Sequence, residues 1–151
     1  MEFQEKNVLV FGSGKSGIAA AELLEKQNAN IFVFEGNEKQ SVAEIKEKSE
    51  SFAKAEIYVG TLPEEVMDKL DFVVLSPGVP TDLPLVNAMR DKKIMIIGEI
   101  ELAYQVAKGK ILAITGTNGK TTTTTLVGEI LSNYFKDVKV VGNIGIPYTS
   151  V

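Results

Sequence analysis

Short apolar runs of strand length alternate with amphipathic stretches along the chain, and this alternation restricts the fold more than any other feature. It predicts β-α units around a largely parallel sheet, an α/β fold. The expected strands are Val8 to Phe11, Ile31 to Phe34, Ile57 to Val59, Phe72 to Leu75, Ile94 to Ile97, Ile111 to Ile114 and Val138 to Val141. Gly17 to Gln27 carries Ala20, Leu23 and Leu24 on one helical face, and Leu126, Val127, Ile130, Leu131 and Tyr134 stripe a second helix. A third helix is expected over Glu99 to Lys108, because acidic residues open it, Lys108 closes it and Gly109 follows as a stop.

Residues 1–95 read as one domain, and residues 96–151 as a connecting helix and the incomplete start of another. After Lys110 there is room for a strand, a loop, a helix, a strand and a further loop, too little to close a core of its own. Sixteen basic against twenty acidic residues give a net charge of -4, the wrong sign for a surface that gathers nucleic acid. With neither Cys nor His, the chain excludes disulfides, Cys/His zinc sites and triads built on these residues. Chemistry must rest on Lys, Thr, carboxylates and backbone N–H groups. The acidic start before Val8 is unlike a secretory signal, and no run approaches the roughly 20 apolar residues of a membrane span. A cytoplasmic monomer away from the membrane is expected.

The expected strand 111–114 runs into a loop of Gly116, Thr117, Asn118 and Gly119, then Lys120 and a run of threonines that opens the next helix. Strand, glycine loop, Lys, Thr and helix in that order form a cradle for phosphates, with backbone N–H groups and the positive helix end turned inward. Lys120 supplies the cation for the β and γ phosphates of ATP. The Thr121 hydroxyl is a hard oxygen placed to ligate Mg²⁺, and Thr122 supports it. The usual GxxxxGK[ST] spacing would put its first glycine where Ile114 stands, so the loop is a shortened variant starting at Gly116. A solvated turn before a polar helix start would look similar. Filling a first turn with β-branched threonines, however, costs helix propensity that binding explains.

Near the other end, Val8 to Phe11 runs into Gly12-Ser-Gly14-Lys15-Ser16-Gly17 and then a helix, the GxGxxG arrangement of a Rossmann-type first turn. Glu35 closes the following strand, where such folds place a carboxylate facing a ribose or a base. Alone this suggests NAD, and the same pattern also arises from close packing of a helix on a strand. A third loop, Ser76-Pro-Gly78-Val-Pro80, follows the strand 72–75 and belongs at the same edge of the sheet, as a rigid turn or as a ligand contact.

Together, GSGKSG, SPGVP, GEIELAY, GTNGKTT and GNIGIP resemble the Mur ligase family over all 151 residues. The family has a Rossmann-like domain for a UDP-sugar, a central ATPase and a C-terminal domain. The resemblance therefore implies a Rossmann-like parallel sheet domain followed by the start of a P-loop ATPase domain, which alone should not catalyse ligation. It implies that Gly14, Lys15 and Ser16 face the UDP diphosphate, Glu35 the uracil, and Gly78 the same pocket. Asn143 would lie near the substrate and nucleotide phosphates, and Lys120 and Thr121 would be catalytic. Gly36 and Asn37 stand where some relatives carry a hydroxyl and an arginine. The simple GSGKSG start and GEIELAY favour the branch that joins D-glutamate to UDP-N-acetylmuramoyl-L-alanine through an acyl phosphate in peptidoglycan synthesis. A sister ligase, a folylpolyglutamate synthetase, or a non-catalytic NAD- or nucleotide-binding module are the alternatives.

Overall fold

The computed structural model describes residues 2–142 and 146–151. Its first strand, β1 (Asn7–Phe11), sits at the centre of the sheet and runs through a glycine turn into α1 (Lys15–Lys26). Alanines at 19, 20 and 21 and Leu24 form the buried face of α1, and small side chains there let the helix lie close to the strands. Asn28, in the left-handed conformation, ends the helix and turns the chain into β2 (Asn30–Glu35). Two short helices follow, α2 (Val42–Lys46) and α3 (Glu50–Lys54), before β3 (Glu56–Val59). Their starts are set locally, since Ser41 and Glu44 form a reciprocal capping box and Ser49 caps α3 through the Phe52 N–H. The chain continues through α4 (Glu64–Met67), β4 (Phe72–Leu75), α5 (Pro84–Asp91), β5 (Met95–Gly98) and α6 (Glu99–Val106). Pro84 at the start of α5 occupies a position whose N–H would have no helical partner.

All five strands are parallel, in the order β3-β2-β1-β4-β5. The pleat divides the core. Val8, Val10, Val33, Phe72 and Val74 point to one face, where Leu24, Ile45, Phe52 and Leu102 from α1, α2, α3 and α6 cover them. Leu9, Phe11, Phe34, Val73 and Leu75 point to the other, against Val66 and Met67 of α4 and Val86 and Met89 of α5. Strands with both faces covered need apolar residues at every position, which is why they read as unbroken runs. Because the order reverses between β1 and β4, the helices that follow these strands, α1 and α5, cover opposite faces of the sheet, the arrangement whose carboxyl-edge crevice binds ligands in open α/β sheets.

Five of the seven expected strands are present, each within a residue or two of its expected limits. The two expected at 111–114 and 138–141 are not. Among the described residues this part of the chain holds α7 (Lys120–Ser132), a 3₁₀ turn (Tyr148–Ser150) and a single parallel bridge between Val141 and Ile146. A strand is stabilised by its ladder, and beyond that one bridge neither segment has a ladder partner among the described residues. Ile111 and Leu112 are 49% and 64% exposed as a result. The expected stripe is likewise uncovered at Leu126 and Ile130 on α7 and at Tyr134 in the turn after it, and α7 buries only Gly128, against which Val140 packs. The helix expected over 99–108 ends at Val106, with Ala107 extended, before the Gly109 stop is reached.

One buried polar contact ties the 3₁₀ turn to the start of α6. Thr149 donates its N–H and its Oγ1 hydroxyl to Oε1 of Glu99, at 2.8 and 2.7 Å, and both residues are 4% exposed. Glu99 is the first residue of α6, where the helix end also favours a carboxylate.

Candidate functional site

The crevice is built from three chain segments that leave the sheet at the same edge. After β1, the Gly12 N–H donates to the Phe34 carbonyl and the Ser76 N–H to that of Phe11, so the turns after β1 and β4 are both fastened to the strand ends. Gly12 lies so close to Ser76 that a β-carbon would sit 2.9 Å from its Oγ. Gly17 is tighter still, with the Gly12 carbonyl oxygen 1.9 Å from the place a β-carbon would occupy. These two glycines of GxGxxG therefore serve packing. Gly14 differs, since nothing lies within 4 Å of its missing β-carbon and it forms the exposed N-cap of α1. Lys15 and Ser16 make up the first turn of that helix, Lys15 exposed and Ser16 half-buried. Open backbone at a helix N-terminus is suited to an anion.

Glu35 stands at the end of β2 beside this turn and is half-buried. Its Oε2 accepts the Ser13 N–H at 3.1 Å and the Ser13 hydroxyl at 2.5 Å, and its Oε1 accepts the Asn37 N–H at 2.9 Å. Lys48, from the turn between α2 and α3, donates to Ser13 Oγ at 2.9 Å, to the Ser13 carbonyl at 3.2 Å and to Oε1 of Gln40. Burial pushes the Glu35 carboxyl up, but the Ser13 hydroxyl, the Asn37 and Ser13 N–H groups and the Lys48 charge together hold it below the usual glutamate value. The acid is thus an ionised acceptor at neutral pH. Gly78, in the loop after β4, is exposed with open space around it.

The structure thus gathers Gly14, Lys15, Ser16, Glu35 and Gly78 at one edge of the sheet. Asn143 lies outside the described residues. Ser13, Gln40 and Lys48 join the site without a sequence signal of their own. Ser13 occupies a variable position of GxGxxG, and Lys48 reaches the turn from 35 residues away, so no local pattern marks either of them.

The loop at 116–122 is a separate cluster, joined to the crevice by no hydrogen bond among the described residues. Gly119 caps α7 in the left-handed conformation, and the Thr123 N–H donates to its carbonyl at 2.9 Å. Lys120 Nζ turns back onto the carbonyl oxygens of Gly116 and, at 3.3 Å, of Thr117. Gly116, Thr117, Asn118, Thr121 and Thr122 are exposed around it. The described residues hold no group of three or more carboxylates that could bind a metal by itself. A hydroxyl such as that of Thr121 fits a hard cation only where phosphate oxygens and water complete the coordination.

Two family models match the chain: the Mur ligase MurD-like N-terminal domain over residues 6–98, and the Mur ligase middle domain over residues 114–150. Among curated relatives, the UDP-N-acetylmuramoylalanine--D-glutamate ligase of Lachnoclostridium phytofermentans is 55% identical over 151 residues, covering 100% of this chain and 33% of the relative. The enzyme of the same name from Lachnospira eligens is 50% identical over 149 residues, covering 99% and 33%. The chain spans about a third of the length of these relatives. Among solved structures, SirC, precorrin-2 dehydrogenase, aligns with a TM-score of 0.51 at 20% identity, covering 90% of this chain and 70% of that one, a likeness of fold.

Proposed function

The chain belongs to the Mur ligase family, and from that premise we propose that it forms the UDP-sugar-binding domain and the opening of the ATPase domain of a D-glutamate-adding ligase. Residues 1–95 would hold UDP-N-acetylmuramoyl-L-alanine, and residues 96–151 would contribute the connecting helix and one wall of an ATP site. The reading is carried by the 55% identity that extends over every residue of the chain to a relative named for that reaction. Sister ligases and folylpolyglutamate synthetases are disfavoured by the same match. The reaction would serve peptidoglycan synthesis, and with it cell shape and division, in the cytoplasm.

In the crevice, the diphosphate would lie over Gly14 and the first turn of α1, with Lys15 and Ser16 as its side-chain partners. Glu35 would accept a hydrogen bond from the uracil, and Gly78 would line the opposite wall. At the second loop, Lys120 would exchange the Gly116 and Thr117 carbonyls for the β and γ phosphates. Thr121 and the phosphates would hold Mg²⁺, whose charge stabilises the transferring phosphoryl group. The alanyl carboxylate attacks the γ phosphate to give an acyl phosphate and ADP, and the D-glutamate amine then displaces phosphate. Two anions meet in the first step, so Lys120 would act by neutralising charge.

Calorimetric titration of the 151-residue chain with UDP, ADP and NAD tests this. UDP should bind and NAD should bind more weakly. Tight NAD binding without UDP binding would remove the reading, and ATP hydrolysis by this chain alone would contradict the assignment of only one wall of the ATP site to it.

A further inference from the structure

We infer that Ser13, oriented by Lys48, determines specificity in the crevice by occupying one oxygen of Glu35, so that the carboxylate offers a ligand a single acceptor. The inference rests on the reading of the crevice as a uridine nucleotide site, and deepens it.

The direction of each hydrogen bond follows from the groups involved. An ammonium only donates and an ionised carboxylate only accepts. Lys48 Nζ lies 2.9 Å from Ser13 Oγ, which lies 2.5 Å from Glu35 Oε2. The Ser13 hydroxyl must therefore accept from Lys48 and donate to Glu35. Its other neighbour, Gln40 Oε1, is 3.4 Å away and is itself an acceptor for Lys48. Ser13 is 1% exposed, so water does not compete for the hydroxyl, and Lys48 fixes its rotation from the solvent side.

A carboxylate has about four acceptor positions, two on each oxygen. Both on Oε2 are taken by the Ser13 N–H and hydroxyl, and one on Oε1 is taken by the Asn37 N–H. One position on Oε1 remains. A ring N–H of a pyrimidine base needs one acceptor. The ribose of a dinucleotide, which sites of this topology engage at its 2′-hydroxyl with the corresponding carboxylate, presents two vicinal hydroxyl donors, and gripping both needs two acceptors. The relay from Lys48 through Ser13 thus admits a base edge and turns away a diol, although the glycine turn alone would suit either ligand.

The test measures UDP and NAD affinities for the 151-residue chain, wild type, Ser13→Ala and Lys48→Met, with thermal melts to confirm folding. Ser13→Ala frees a position on Oε2 and lets Glu35 rotate. UDP affinity should fall about tenfold, the scale of one hydrogen bond to a charged group, while NAD affinity holds or rises, so that the UDP-to-NAD ratio collapses. Lys48→Met, at an exposed position, should lower the ratio in the same direction by a smaller factor. UDP binding with an unchanged ratio in both variants would overturn the role of Ser13 and leave the uridine site standing. A wild-type chain that prefers NAD would overturn the uridine reading, and the inference with it.

Discussion

Replacing Gly17 and Gly14 separately by alanine should split the stability of the glycine turn from its ligand binding. At Gly17 a β-carbon would meet the Gly12 carbonyl oxygen at 1.9 Å and the carbonyl carbon at 3.0 Å, against an ordinary contact of 3.4 Å or more. About 1.5 Å of movement is needed, and the obstacle is backbone held by the Phe34 carbonyl, not a side chain that can swing away. Overpacking of this kind costs about 1–3 kcal/mol, and a rigid obstacle places Gly17→Ala at the upper end, about 3 kcal/mol. For a domain of roughly 100 residues each kcal/mol moves the midpoint by about 4–8 °C, so a fall of about 12–24 °C is expected by differential scanning calorimetry. At Gly14, φ is -81° and the space is open, so alanine should change stability by no more than about 0.5 kcal/mol. On the proposed reading its methyl group would stand where the diphosphate approaches the α1 N-terminus, and UDP affinity should fall by about tenfold or more. A midpoint within 4 °C of wild type for Gly17→Ala, or wild-type UDP affinity for Gly14→Ala, would refute this division.

Phe52→Ala, which empties the site of the largest fully buried side chain, should destabilise the chain by about 3–5 kcal/mol in urea unfolding. Thr149→Val should cost about 1.5–3 kcal/mol locally by leaving the buried Glu99 carboxylate with only the N–H bond, read out as faster amide exchange at residues 148–150. Combined with Glu99→Gln the loss should be less than additive, because both variants break one contact. Glu35 ionises at lower pH when folded than when unfolded, so in acid the unfolded chain binds the extra proton. Its contribution is full above the ordinary glutamate range and is lost as pH falls through the folded value. Glu35→Gln should therefore flatten the decline of stability below about pH 4.3 in urea titrations at stepped pH.

The strands of the sheet were legible because burial on both faces leaves little choice of residue. Val8 to Phe11 and Phe72 to Leu75 are apolar at every position, and the structure pairs them residue for residue. The short helices α2 to α5 leave no periodic trace in the sequence, since four to eight residues span too little to show a period. Their signals lay in the caps, Ser41 with Glu44 and Pro84 at the start of α5. Ile111 to Ile114 and Val138 to Val141 carry strand composition without forming strands, because pairing depends on a neighbour that local composition does not specify. Glu35 was visible from its place after the second strand. Its company was not, because Ser13 and Lys48 reach it through tertiary contacts alone.

The two glycine loops share one local design, a turn feeding a helix N-terminus, yet their surroundings differ. Around the first, Gly17 is wedged against Gly12, Ser13 is locked to Glu35 and Lys48, and α1 buries a face of alanines and Leu24. That turn is ordered before any ligand arrives, so binding need not supply the cost of ordering it. Around the second, α7 buries only Gly128 and leaves its apolar stripe exposed, and Lys120 spends its donors on the carbonyls of its own loop. A phosphate there must displace those contacts and hold a weakly packed helix at once. Sequence motif alone would rank the second loop as the stronger phosphate site, because it has the lysine and the hydroxyls. Packing ranks the first loop higher in this chain, and the grip of the second depends on how firmly α7 is held.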